Sequence, residues 1–176
     1  NDFELLIIND GSTDNTLAKV NNFDDPRINL ISKKNSGLID TLNYGFSIAK
    51  YEYIARIDGD DLMAAHRLST QIDLMKKYNY DIVGSNAIVI DDKSNIIGKT
   101  NLPLSHKGIK KNLLNMKPSL IHPSLMIKKQ CVLNSGGYSN KFKHTEDYEL
   151  WLRLIDKYKF QNCKENLIKL RKHSKN

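Results

Sequence analysis

"SGLIDTLNYGFSIAKYEYIARIDGDD", residues 36–61, sets a helix-period segment directly against a strand-like one that ends in acid. Leu38, Leu42, Gly45, Phe46 and Ala49 recur at helical spacing, which predicts an amphipathic helix. "YEYIARI" (51–57) then reads as a strand and closes on Asp58-Gly59-Asp60-Asp61. Upstream, "ELLII" (4–8) is a continuous apolar run before the turn-rich "NDGSTDNT", the pattern of a buried parallel strand ending in a loop. Asp14 or Thr13 is placed to cap a helix from near Thr16, and "RINLIS" (27–32) predicts another strand. Downstream, Ala65, Leu68, Ile72 and Met75 share one face of a predicted helix. Strand, helix, strand, helix, strand predicts a doubly wound α/β sheet, in which ligands sit beyond the carboxyl ends of the strands. Asp10 and the cluster at 58–61 both fall at such ends.

Three carboxylates within four positions repel one another, so a metal ion, an arginine or a helix N-terminus should offset them. In an extended stretch Asp58 and Asp60 point to the same side, and Gly59 lets the backbone approach a bulky ligand. Hard oxygen donors of this kind suit Mg²⁺ or Mn²⁺ bridged to a substrate diphosphate. The competing reading is a polar turn in which Asp61 caps the next helix. A calcium loop is excluded: counted from Asp58, its sixth and twelfth positions would be Met63 and Ser69, where Gly and Glu are needed. There is no GxxxxGK[ST], GxGxxG or GxSxG segment, which removes the support for P-loop, Rossmann dinucleotide and serine-hydrolase readings.

After residue 80 the pattern becomes mixed. "DIVGSNAIVIDDKSNIIGKT" predicts a strand and hairpin, "HKGIKKNLLNMK" a helix, "PSLMIK" a short strand and "SGGY" a tight turn. "EDYELWLRLIDKY" predicts a helix with Tyr148, Trp151, Leu152 and Ile155 on one face, and with Glu146 and Asp147 in the first turn, where the helix dipole favours carboxylates. The 176 residues carry no repeat or linker and suit a single domain. No apolar run approaches the roughly 20 residues that span a bilayer. Cys131 and Cys163 lack metal-ligand spacing and read most simply as reduced thiols of a cytoplasmic protein, with one disulfide as the alternative. The net charge of +7 favours anionic partners, although the lysines are scattered as on a solvated surface until "NLIKLRKHSKN". The near-immediate start of the first strand suggests that an N-terminal element is missing.

"LLIINDGSTDNT", "NSGLIDTLNYGFSIAKYEYIARIDGDDLM", "HPSLMIKK", "GGY" and "TEDYELWLRL" occur in the order found in inverting family 2 glycosyltransferases of the GT-A fold, and the chain resembles that family from about Glu4 to His173. The likeness is strongest to bacterial enzymes that build lipopolysaccharide, capsule or other surface glycans. It implies an α/β/α sandwich with a mixed central sheet, with residues 1–80 as the nucleotide-sugar half and 81–176 as the acceptor and catalytic-base half. It implies that Asp10 bonds the nucleotide base, with Asn9 replacing the usual first acid, and that Asn35 lines the nucleotide pocket. Asp58 and Asp60 match the DxD motif, Asp58 near the ribose or a metal-bound water and Asp60 as a direct ligand of Mn²⁺ or Mg²⁺. Asp61 is then a helix cap or a supporting group. Asp147 matches the catalytic base, and Glu146 and His122 belong to the acceptor side. His173 in "LRKHS" is either a third metal ligand or a tail histidine, Leu170 standing where the family has Tyr. Arg56 and Arg153 serve either the donor or the local acids.

The implied partners are a nucleotide-sugar donor, by default a UDP-sugar, and a glycan or lipid-linked acceptor. Peripheral association with a membrane surface fits the basic charge. The family's first strand and its PxYN turn are absent from this sequence, so a gap in the central sheet, weak donor binding and poor activity are expected of this chain. A nucleic-acid-binding module is the rival from another class, but no aromatic-interleaved basic patch supports it. A catalytically impaired nucleotide-sugar-binding fragment is the nearer rival. Retention of Asp10, Asp60 and Asp147 speaks against decay.

Overall fold

A computed structural model describes residues 3–173. Strand β1 (Leu5–Asp10), helix α1 (Thr16–Asn21), strand β2 (Ile28–Lys33) and helix α2 (Leu38–Ile48) follow the expected order. β1 and β2 pair in parallel, Leu6 opposite Asn29 and Ile8 opposite Ile31. α1 begins at Thr16 with Asn15 as its capping position, but the Asn15 side chain makes no capping bond. Asp14 accepts from the Thr16 amide instead, at 3.0 Å.

The third strand departs from the doubly wound scheme. β3 spans only Tyr53–Ala55 and pairs antiparallel with β7 (Met126–Lys128), not with β1. The remaining strands are β4 (Leu62–Met63), β5 (Ile82–Ile90), β6 (Ile96–Lys99) and β8 (Phe160–Arg171). The larger sheet runs β3-β7-β5-β8-β4, with β6 hydrogen-bonded to β5, and β1-β2 form a separate two-stranded sheet. Among the described residues β1 therefore has a ladder on one edge only. Its apolar run is accordingly less buried than a central strand would be: Leu5 is exposed and Leu6 to Ile8 are half-buried.

β5 holds the centre. It pairs antiparallel with β6 and β7 and parallel with β8, so the sheet is mixed, as the pattern after residue 80 predicts. Side chains alternate across a strand. Ile82 faces a cluster with Ile109, Leu113, Leu150, Leu154 and Phe160, whereas Val83 faces Met75, Met126, Cys163 and Leu167. Helices α4 (His106–Leu114) and α6 (Glu146–Leu154) thus cover one face and α3 (Arg67–Tyr78) the other, giving the α/β/α sandwich. Each fully buried Leu or Ile here contributes about 1.5–3 kcal/mol of transfer free energy. Cys131 and Cys163 are both buried and free.

Three helical faces match the sequence expectation in part: Phe46, Met75, Trp151 and Ile155 are buried, and Leu42, Leu68, Ile72 and Tyr148 pack against the core, while other positions are shifted. α2 buries Ile39 and Phe46 and leaves Leu38 exposed. α6 buries Glu146, Leu150 and Leu154 along one stripe, with Trp151 beside it, so Leu152 points outward. α3 buries Arg67, Gln71 and Met75. Residues 160–171, to which the sequence pattern assigned no element, form the twelve-residue β8 beside β5. Register shifts at Ser85/Asn86 and Asn86/Ala87 break its two-residue alternation, which hides the strand in the sequence. Ser174, which completes "LRKHS", lies outside the described residues.

Candidate active site

Asp10 ends β1, and the chain turns away through Gly11 at φ +78°. A Cβ on Gly11 would lie 2.8 Å from the Asn35 amide nitrogen, so the two loops touch backbone to backbone. The Asp10 carboxylate accepts the Ser36 and Gly37 amides, each at 2.9 Å, and pairs with Lys33. Lys33, with these two amides, holds its pKa down at about 2 against the small cost of burial. Asn35 Nδ2 donates to the Asp10 carbonyl at 2.8 Å. The two residues assigned to the nucleotide are thus side by side at the carboxyl ends of β1 and β2. Asn9 is buried; its Nδ2 donates to Ser32 Oγ at 2.9 Å and its Oδ1 accepts the Ser12 amide at 3.1 Å.

The turn after β3 shows how its acids are tolerated. Arg56 binds Asp58 through both Nη atoms, Nη1 to Oδ2 at 3.0 Å. Asp60 Oδ2 lies 2.9 Å from His173 Nε2, and the opposite ring nitrogen of His173 meets Asp92 at 2.5 Å. Asp60 and then Asp92 raise the His173 pKa. Asp61 Oδ1 accepts the Arg171 amide at 2.8 Å, while its buried Oδ2 has no partner. Burial, with Asp60 and Asp58 nearby, pushes the Asp61 pKa up. Asp61 is not the cap of α3, since His66 holds that position; it anchors the end of β8. Arg171 adds bonds to the Asp60 and Asp91 carbonyls, at 3.0 and 2.7 Å. The offset for the clustered acids therefore comes from Arg56 and from the last residues of β8. Of the two readings of His173, the ring sits against Asp60. Among the described residues no group of three or more His, Cys, Asp or Glu side chains is assembled to hold a metal ion.

Asp147 lies in the first turn of α6, its Oδ1 accepting the Tyr148 amide at 2.7 Å. Its Oδ2 is 4.0 Å from His122 Nδ1. Burial raises its pKa, Glu146 adds to the rise, and Arg56 opposes it. Desolvation thus outweighs the Tyr148 amide and Arg56, which favour the charged form, and the raised pKa runs against the expectation from the helix first turn. Glu146 is buried beside it, and His122 is buried in a single 3₁₀ turn (His122–Ser124), so neither lies open on an acceptor surface. The charge of Arg56 acts on Asp61, His122 and Asp147. The Arg56 guanidinium, bonded to Asp58, is thus near enough for its charge to bear on Asp147 as well. Arg153 instead holds Glu149 and the Ser135 and Gly137 carbonyls, a support for the glycine turn.

Sequence reasoning missed a buried clamp behind the turn at residues 58–61. Arg67 Nη2 donates to the Arg56 carbonyl at 2.8 Å and the Leu125 carbonyl at 3.2 Å, and Nε donates to Gln71 Oε1 at 2.9 Å. Gln71 Nε2 in turn donates to the Val83 and Ser124 carbonyls, at 2.7 and 2.8 Å. Burial lowers the Arg67 pKa to about 10. The signal was present: Arg67, Gln71 and Met75 are four residues apart on one helix, the spacing of a buried stripe.

The model of "Glycosyl transferase family 2" matches residues 1–133, most of the chain. The chain belongs to glycosyl transferase family 2. This family 2 glycosyltransferase is 33% identical over 180 residues to the O-antigen biosynthesis glycosyltransferase WbnJ of Escherichia coli, covering 99% of this chain and 70% of that protein. It is 34% identical over 154 residues to the UDP-Glc:alpha-D-GlcNAc-diphosphoundecaprenol beta-1,3-glucosyltransferase WfgD of Escherichia coli, covering 87% of this chain and 58% of that one. S. aureus TarS 1-349, in a crystal structure with UDP-GlcNAc, superposes with a TM-score of 0.74 at 19% identity, over 97% of this chain and 50% of TarS. The GT-A fold of the transferase is thereby shown. No helix among its described residues is long and apolar enough to cross a membrane.

Proposed function

We propose that the chain carries the catalytic site of an inverting transferase that moves a sugar from a nucleotide-diphosphate sugar to a hydroxyl of a glycan or lipid-linked acceptor in bacterial surface-polysaccharide synthesis. The observation that supports the reading is the paired Arg56–Asp58 turn at the end of β3, together with Asp147, a partly buried carboxylate in the first turn of α6 whose Oδ2 is 4.0 Å from His122 Nδ1. A UDP-sugar is the default donor; WfgD is named for UDP-Glc, and TarS was crystallised with UDP-GlcNAc.

Asp10 and Asn35 receive the nucleotide, and Asp58, oriented by Arg56, faces its ribose. Asp60, with His173 Nε2 2.9 Å from its Oδ2, would hold a divalent cation, Mn²⁺ or Mg²⁺. A bound divalent cation supplies neutralisation of the departing nucleoside diphosphate. Asp147 takes the proton of the acceptor hydroxyl as that oxygen attacks the anomeric carbon, and its raised pKa makes it a stronger base than an exposed carboxylate. Attack opposite the leaving group inverts the configuration.

Asp147→Asn is expected to abolish transfer, a loss of about 100-fold or more, while nucleotide-sugar binding persists. Asp60→Ala is expected to remove the Mn²⁺-dependent part of donor binding, read by calorimetry with UDP-GlcNAc or UDP-glucose with and without Mn²⁺. Near-normal transfer by the Asp147 variant would end its assignment as the base. Donor binding that is unaffected by Mn²⁺ in the parent chain would end the metal assignment.

A further inference from the structure

We propose that Tyr138 and His122 form a fixed hydrogen-bond relay behind Asp147, in which the imidazole stays neutral, carries its proton on Nδ1 and aims that N–H at the carboxylate. This rests on the reading of Asp147 as the base and adds how the base is held. Tyr138 and His122 are both buried, and His122 Nε2 is 2.8 Å from the Tyr138 hydroxyl. The imidazole also lies against the Tyr138 ring, with centroids 5.5 Å apart, and meets Trp151 edge-on at 6.0 Å. The ring is therefore held on two sides, and its second nitrogen is left facing Asp147.

Hydrogen-bond accounting decides where the proton sits. If Nε2 carried it, the N–H would donate to the phenol oxygen, and the buried Tyr138 O–H would need a second acceptor. Among the described residues the hydrogen-bond partner of that hydroxyl is His122 alone. The bare Nδ1 lone pair would then also face the Asp147 carboxylate, two acceptors opposed. With the proton on Nδ1, the Tyr138 O–H donates to Nε2 and the Nδ1–H points toward Asp147 Oδ2, so the hydroxyl is satisfied and no lone pair opposes the carboxylate. At 4.0 Å that last approach is longer than a hydrogen bond; it acts as an oriented dipole and closes when the acceptor seats.

Burial drives the His122 pKa well below its usual value, with Arg56 adding to the drop, so the ring does not take the proton itself. The groups that bear on Asp147 are thus Glu146 on its own helix, Arg56 at the end of β3, and the neutral His122 and Tyr138. Glu146 and burial disfavour the carboxylate; Arg56 and the Nδ1–H favour it. Asp147 Oδ1 is already fixed by the Tyr148 amide, so the relay fixes the other oxygen and leaves one set of lone pairs for the acceptor hydroxyl.

Imidazole ¹⁵N shifts in the ¹⁵N-labelled chain read the tautomer without any need for turnover. The His122 signals can be assigned by elimination, replacing the exposed or half-buried His66, His106, His144 and His173 one at a time. The expected result is a protonated Nδ1, an unprotonated Nε2 and no titration over about pH 5 to 8. A proton on Nε2, or a ring that titrates in that range, would overturn the relay. Tyr138→Phe is expected to shift the proton toward Nε2; an unchanged tautomer would mean that Tyr138 does not set it. In the transfer assay His122→Asn, whose amide nitrogen replaces Nδ1, should retain at least about tenfold more kcat than His122→Gln, with KM alike. Equal losses in the two variants overturn the relay. If Asp147→Asn remains active, the base reading fails whatever the tautomer. An Nε2–H tautomer beside an inactive Asp147→Asn removes the relay alone.

Discussion

Asp10 has an acid-side signature that follows from its partners. Its folded pKa of about 2 lies below the roughly 3.9 of an unfolded aspartate. A depressed folded pKa contributes stability that is present above the unfolded value and disappears as pH falls through the folded one. The stability gap between the parent and Asp10→Asn is therefore expected to be widest above about pH 4 and to shrink toward pH 2, followed by urea midpoints at several pH values. A gap independent of pH would show that Lys33, Ser36 and Gly37 do not stabilise the charged form. Arg67 illustrates another residue-scale lesson: a guanidinium is accommodated in the interior where backbone carbonyls and Gln71 meet its Nε and Nη2 groups, while the buried Nη1 is left without a partner among the described residues.

At the scale of elements, the glycine turn ahead of α6 and the helix α2 are one unit. Gly137 sits at φ +72°, and a Cβ there would lie 2.5 Å from Asn43 Oδ1. Asn43 clasps Tyr138 at both backbone groups, accepting its amide at 2.8 Å and donating to its carbonyl at 2.9 Å. Gly137→Ala is expected to destabilise the fold by about 1–3 kcal/mol, through left-handed strain and displacement of Asn43, measured by denaturant unfolding. Asn43→Ala, which removes the clash partner, should make the glycine substitution less costly in a double-mutant cycle. Strict additivity would place the whole cost in backbone strain. The same turn carries Tyr138 to His122, so element packing sets the position of the base's neighbours.

At the scale of the whole molecule, stability is unevenly distributed. β5 is hydrogen-bonded to β6, β7 and β8 and lies in the core, whereas β1 pairs with β2 alone among the described residues. Amide exchange is expected to be slowest in Ile82–Ile90 and markedly faster in Leu5–Asp10, because an edge with one ladder and half-buried side chains opens at lower free energy. Uniform protection of the two strands would contradict this. A nucleotide sugar that engages Asp10 and Asn35 should slow exchange at the β1 and β2 ends first.

Much of this was readable from the sequence. The run from Leu5 to Asp10, the helix from Leu38 and the acidic turn at 58–61 have local causes, namely apolar period, turn residues and charge spacing, so the α/β class and the candidate acids were available without coordinates. Three things were not. β8 was concealed because its bulges break the alternation that marks a strand, and its place beside β5 depends on pairing across some eighty residues. The burial of Ile39, Arg67, Gln71, Glu146 and Leu150 beside the expected residues was not legible, because neighbouring elements as well as the helix's own period choose how far the covered stripe extends. The offset of the acids by Arg171 and His173, and the approach of His122 to Asp147, are long-range contacts that only the packed chain creates, whereas Arg56, two residues from Asp58, was already offered by the sequence. The sequence by itself determined which residue types could do the chemistry; the tertiary structure decided which of them meet and how burial shifts their charge, because electrostatic coupling depends on distance and solvation rather than on order along the chain.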